Sequence, residues 1–162
     1  MQEDARRITV TERPEVPALA VVFGFGPMLP LVAGAGLAWW LRGQAGERVT
    51  VLTILWGCAI LLFLSGVRRG LSFRTEGGET MAQIATMLGL FGLGFAALLA
   101  VAFGMPPVAL LLLMTGFAAI AILDPIAARR GEAPLFMARL RPMQMPLAIL
   151  SLAALLALKL WG

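Results

Sequence analysis

Residues Ala59 to Phe73 read AILLFLSGVRRGLSF, an apolar helix that runs without a break into two adjacent arginines. Leu61, Leu62, Phe63 and Leu64 are side chains for lipid or for a core, whereas Ser65, Gly66 and Gly70 make a surface that a second helix backbone can approach closely. Arg68 and Arg69 then end the buried part, so the stretch reads as a membrane span arriving at one face of a bilayer.

Composition agrees with that reading. The 162-residue chain is 60% hydrophobic and only 14% charged, where soluble domains carry roughly a quarter charged residues, and its mean hydropathy is +0.90. The apolar surplus falls in blocks separated by short polar or Gly/Pro breaks, which makes a bilayer the natural solvent. Histidine, asparagine and tyrosine do not occur, and the lone Cys58 has no partner for an internal disulfide. Those absences exclude a His-containing catalytic triad, a His-ligated haem, a two-Cys metal site and an N-glycosylation acceptor. No cofactor and no metal site are expected. Basic residues are almost all arginine, a bias that fits a GC-rich bacterial genome.

Residues 1–16 mix both signs of charge, lack an apolar core of their own, and read as a cytoplasmic tail. Residues 17–162 are expected to form one all-α transmembrane domain of five helices, with spans over 17–41, 49–70, 81–103, 107–123 and 145–161. Ala33-Gly34-Ala35 looks like a cleavage site, but the apolar run before it is long and continues to Leu41, so span one is read as an uncleaved anchor. Its middle, GFGPMLP from Gly24 to Pro30, should bend at Gly24, Gly26, Pro27 and Pro30, because each proline removes a backbone donor that neighbours must make good in lipid. Trp39 and Trp40 stand where an aromatic belt would place them.

In the second loop, Glu79 and Thr80 are positioned to act on the next helix start. Gly89, Gly92 and Gly94 in span three are spaced for close backbone approach, and Gly104-Met105-Pro106-Pro107 forces spans three and four into an antiparallel hairpin. Span four is expected to stop at Asp124-Pro125 by proline chemistry. Leu135, Phe136, Met137 and Leu140 then share a face that suits a short amphipathic helix on the membrane surface.

Orientation follows from counting basic residues by side. Arg6, Arg7, Arg13, Arg68, Arg69, Arg74, Arg129, Arg130, Arg139 and Arg141 fall on the side of the N-terminus; Arg42, Arg48 and Lys159 fall on the other. That asymmetry places the N-terminus in the cytoplasm and the C-terminus outside, and it accounts for the net charge of +4 without nucleic acid as a partner.

Three stretches resemble the transmembrane protein 69 family, also known as domain of unknown function 3429: GFGPMLP in span one, ILLFLSGVRRG in span two, and Asp124 followed by PLFMARLR. The family pattern has a Gly-to-Pro-Phe bend in helix one, a run like ILSFLGG with a Trp-Gly pair in helix two, and an acidic residue, a Trp-containing stretch and a Leu-Arg pair before helix five. The likeness runs from Pro17 onward, with Arg69 standing where the family tends to have Trp and Phe136 near its second Trp. It implies a multi-pass protein of a bacterial or mitochondrial inner membrane with no settled activity.

The candidate cluster is Asp124 with Arg68 and Arg69, three ionisable groups close to hydrocarbon. An interfacial ion pair outweighs a proton or anion site here, since all three are read as lying at helix ends. Gly66, Gly70, Gly89 and Gly92 are the candidate helix-packing residues, with packing inside the chain preferred to a dimer face. General acid–base catalysis needs two tunable groups around one cavity, and the spans offer Asp124, Glu47 at the opposite face, and arginines that do not deprotonate. An enzyme is therefore not expected. Nor do five spans divide into the inverted repeat of a transporter. The first role expected is a structural, accessory or assembly subunit of a larger membrane protein complex; the alternative is a small carrier or binding protein for a lipid-soluble ligand such as a quinone, its pocket lined by the bent first helix.

Overall fold

The structure is a computed structural model that describes residues 16–41, 43–74 and 78–161. The expected 1–16 tail, apart from Val16, and Arg42 lie outside the described residues. The elements are α1 (Ala18–Phe25), a 3-10 turn (Gly26–Met28), α2 (Leu29–Trp40), α3 (Gln44–Ser72), α4 (Met81–Ala102), α5 (Pro106–Arg129) and α6 (Met137–Trp161). With α1 and α2 taken together as one span, five segments are long and apolar enough to cross a membrane.

Successive spans run antiparallel. α5 packs on both α4 and α6, α3 on α2 and α4, and α2 closes the bundle against α6. The centre is filled by side chains such as Leu31, Ile54, Leu61, Leu113, Phe117 and Leu152, each out of contact with solvent or lipid. Close packing of this kind is what holds membrane helices together once lipid has removed the hydrophobic drive between them.

Loop chemistry explains the ends. Thr80 caps α4 through a reciprocal pair: its hydroxyl accepts from Gln83 N at 3.2 Å and its own N–H donates to Gln83 Oε1 at 3.0 Å. α4 ends at Gly104, whose φ of +70° allows Met105 N to reach back to Ala100 O at 2.7 Å. This is a glycine C-cap of the Schellman type, followed by Pro106 at the next helix start.

Span boundaries differ from the sequence expectation at three places. α5 does not stop at Asp124-Pro125; it continues through Pro125 to Arg129. Its terminator is Gly131, with φ +75° and a bond from Glu132 N to Ala127 O at 2.9 Å. Second, 137–144 is no separate surface helix. Met137 already begins α6, which passes through Pro142 and Pro146, so span five starts well before residue 145 and Leu140 and Arg141 are buried. Third, α3 begins at Gln44, a turn ahead of the expected start at residue 49. Prolines inside membrane helices are tolerated where neighbours satisfy the freed backbone, and here α5 and α6 continue through them.

The candidate packing glycines are also corrected. Gly66, Gly70, Gly89 and Gly92 are exposed, and a methyl group on any of them would meet nothing. Close approach happens elsewhere: a methyl on Gly34 would overlap the Thr53 hydroxyl, and one on Gly116 would overlap Leu61. The GxxxG spacing on α3 thus faces outward, because the register that buries Leu61 and Leu64 turns Gly66 and Gly70 to the periphery.

Candidate functional site

The bend in span one falls at Gly24, Gly26, Pro27 and Pro30, where the 3-10 turn separates α1 from α2. Two carbonyls of the bend are taken up by side chains from other helices. Trp56 Nε1 on α3 donates to Pro27 O at 2.9 Å, and Gln144 Nε2 on α6 donates to Gly24 O. Gly24 has room for no bulkier residue without pressing on Leu140. The compensation that the two prolines require is therefore supplied by α3 and α6.

Gln144 is the end of a chain of polar contacts. Its Oε1 accepts from Arg141 Nη1 at 2.8 Å, and Arg141 Nε lies 2.9 Å from Asp124 Oδ2. Asp124 Oδ1 accepts from Arg68 at Nε, 2.9 Å, and at Nη2, 2.6 Å. One carboxylate on α5 thus sits between two guanidinium groups, from α3 and α6, and the relay ends on the backbone of span one. The side chains of Arg68, Asp124 and Arg141 are 14%, 8% and 9% exposed. Each lies roughly a turn or more inside its helix end, about 6–8 Å at 1.5 Å per residue, and not at the helix terminus expected from sequence.

Arg69 is not part of this cluster. One residue along α3 turns it outward, where it pairs with Glu79, reaches Ser72 Oγ at 3.5 Å and lies over the Phe73 ring at 4.2 Å. Sequence reasoning chose Arg68 and Asp124 and missed Arg141 and Gln144. The signal was present: the buried face of α6 runs through Leu152, Ala148 and Met145, and the same helical period extended backward meets Gln144 and Arg141.

Beside the relay lies a crevice of about 500 Å³, bounded by α1 and the 3-10 turn, by α3, and by the start of α6. α1 packs on the start of α6 across this space. Phe23, Trp56, Ile60 and Phe63 belong to its apolar wall, while Arg141 and Gln144 contribute polar groups from α6. Phe23 and Phe63 are 75% and 69% exposed, so the crevice opens sideways toward lipid. Its volume is within the range of small-molecule sites, roughly 300–1,000 Å³.

At the opposite end of the bundle Lys159 pairs with Glu47, and Trp39 Nε1 donates to Ala154 O at 3.0 Å. Trp40 and Trp161 project outward there, 79% and 83% exposed, as interfacial tryptophans do.

Fold and site together define a five-span integral membrane protein with a buried arginine–aspartate–arginine relay and a lateral apolar crevice. No protein-family model, no curated protein and no solved structure matches this chain.

Proposed function

We propose that this protein binds a lipid-soluble ligand in the crevice between α1, α3 and α6, and that it acts as a binding or carrier protein and not as an enzyme. The observation that carries this reading is the crevice itself: a cavity with mostly apolar walls, exposed at Phe23 and Phe63, with Arg141 and Gln144 in its lining. A ligand entering sideways from lipid buries its apolar part against Trp56, Ile60 and Phe63 and presents a polar group to Arg141 and Gln144. Ala59 lines the crevice from an exposed position, so Ala59→Trp fills it without touching the core. Extraction and mass spectrometry of purified protein should find a ligand near one equivalent in the unmodified chain and far less in Ala59→Trp. Equal recovery from both would refute the reading.

The second reading, an accessory or assembly subunit of a larger complex, draws support from the open glycines Gly66 and Gly70 on α3 and Gly89 and Gly92 on α4. Outward small residues are what a helix of another protein needs for close contact. Migration well above monomer mass on a native gel supports it; a monodisperse monomer in several mild detergents counts against it. Under either reading the arginine asymmetry supports a bacterial inner membrane with the N-terminus cytoplasmic, and the three quoted stretches support kinship with the transmembrane protein 69 family.

A further inference from the structure

The crevice and the relay share one residue. Arg141 pairs with Asp124 on one side and lines the crevice on the other, together with Gln144. Resting on the ligand-binding reading above, we propose that the ligand is an amphiphile with a singly anionic headgroup, a phosphodiester or a carboxylate, held at Arg141 and Gln144 with its hydrocarbon chain lying along α3 toward Trp56.

Charge is the first argument. Both oxygens of Asp124 are engaged, Oδ1 by Arg68 and Oδ2 by Arg141, so two positive charges share a single negative one. Glu132 lies with Arg68 and Asp124 around a small pocket on the other side, whereas the crevice lining holds Arg141 and no carboxylate. A headgroup of charge −1 supplies that face of Arg141 with a counter-charge, which a neutral quinone does not.

Hydrogen bonding is the second. Arg141 is 7% exposed: its Nε faces Asp124 Oδ2 at 2.9 Å and its Nη1 donates to Gln144 Oε1, and the side chain also forms part of the crevice lining. Guanidinium groups favour carboxylate and phosphate oxygens, which accept along a fork geometry. Glu132 and Gln83 adjoin Arg68 and Asp124 in a separate small pocket between α3, α4 and α5, away from the crevice wall.

Geometry is the third. From Val67, beside Arg68, to Trp56 the crevice follows α3 for 11 residues, about 16 Å at 1.5 Å per residue. That is roughly half of a hydrocarbon core of about 30 Å. Arg141 lies four residues into α6 from Met137 and Trp56 stands near the middle of α3, so the distance between them suits one hydrocarbon chain.

Native mass spectrometry of the full chain in mild detergent tests the inference, with phosphatidylglycerol, oleate, phosphatidylcholine and a long-chain benzoquinone titrated separately. Retention of phosphatidylglycerol or oleate is expected to exceed that of phosphatidylcholine and the quinone by about fivefold or more. Stronger phosphatidylglycerol identifies the phosphodiester source, stronger oleate the carboxylate. Arg141→Gln should abolish the preference, Arg141→Lys should restore part of it, and Arg129→Gln, at the exposed end of α5, should leave it intact. Quinone or phosphatidylcholine retained as well as the anions, with Ala59→Trp displacing them, overturns the anionic assignment while sparing the crevice. Retention of every probe unchanged in Ala59→Trp overturns both.

Discussion

Arg141 meets Asp124 Oδ2 at 2.9 Å from α6 while Arg68 holds Oδ1 from α3, so a carboxylate next to a helix-interior proline ties three spans together. Removing one partner of a buried pair leaves the other charged and unsolvated, a loss of about 3–5 kcal/mol. Asp124→Asn strands two guanidinium groups at once and should lower thermal stability in detergent by at least about 3 kcal/mol. A shift near zero would show that the relay is not formed in the folded protein.

Coupling within the cluster separates the two adjacent arginines. In double-mutant cycles with Asp124→Asn, Arg68→Gln and Arg141→Gln should each cost less in the double variant than the singles sum to, by roughly 0.5–3 kcal/mol. Arg69→Gln should add independently, since its partners are Glu79 and Ser72. Strict additivity for Arg68 and Arg141 would contradict the geometry.

Gln144 serves the Gly24 carbonyl of span one and Arg141 on its own helix. Gln144→Leu keeps the volume and leaves both groups without that partner, at about 1–3 kcal/mol by thermal unfolding. Wild-type stability in this variant would mean that the bend does not depend on α6.

Glycine substitutions invert the ranking that spacing suggests. Gly116→Ala, against Leu61, should destabilise by about 1–3 kcal/mol, while Gly66→Ala on the open face of α3 should be neutral or stabilise by about 0.5–1 kcal/mol. If Gly66→Ala is the more damaging in the isolated monomer, the packing register of α3 is wrong.

Orientation is open to a reporter test. Alkaline phosphatase fused after Gly162 should be active and the same enzyme fused at Gly77 inactive, as the arginine asymmetry requires. The reverse pattern would invert the topology.

Hydropathy and loop length were enough to read five spans and their antiparallel order, because twenty apolar residues leave few alternatives to a membrane helix. Helix ends were less legible. Pro125 carries a strong stop signal in water, yet in a bundle the helix runs on until Gly131 supplies a positive φ. The pairing of Asp124 with Arg68 was readable from charge and depth, whereas Arg141 reads as a surface arginine because the apolar face of Leu135, Phe136, Met137 and Leu140 suits an amphipathic helix lying on the membrane. The crevice had only an indirect sign, the bend at Gly24 to Pro30; its walls come from three segments far apart in sequence, and no local pattern announces a space that is left unfilled.

Ligand occupancy of that space is measured most directly at Trp56, which lines the crevice while the other tryptophans stand at the opposite end of the bundle. In a chain with Trp39, Trp40 and Trp161 changed to Phe, fluorescence of Trp56 is followed in detergent as a brominated anionic amphiphile is added. The account predicts quenching that saturates near one equivalent per chain and is lost in Ala59→Trp relative to an added-tryptophan control. Quenching that instead rises in proportion to the brominated fraction of the micelle, as for a residue merely bathed in lipid, would contradict a bound ligand in the crevice.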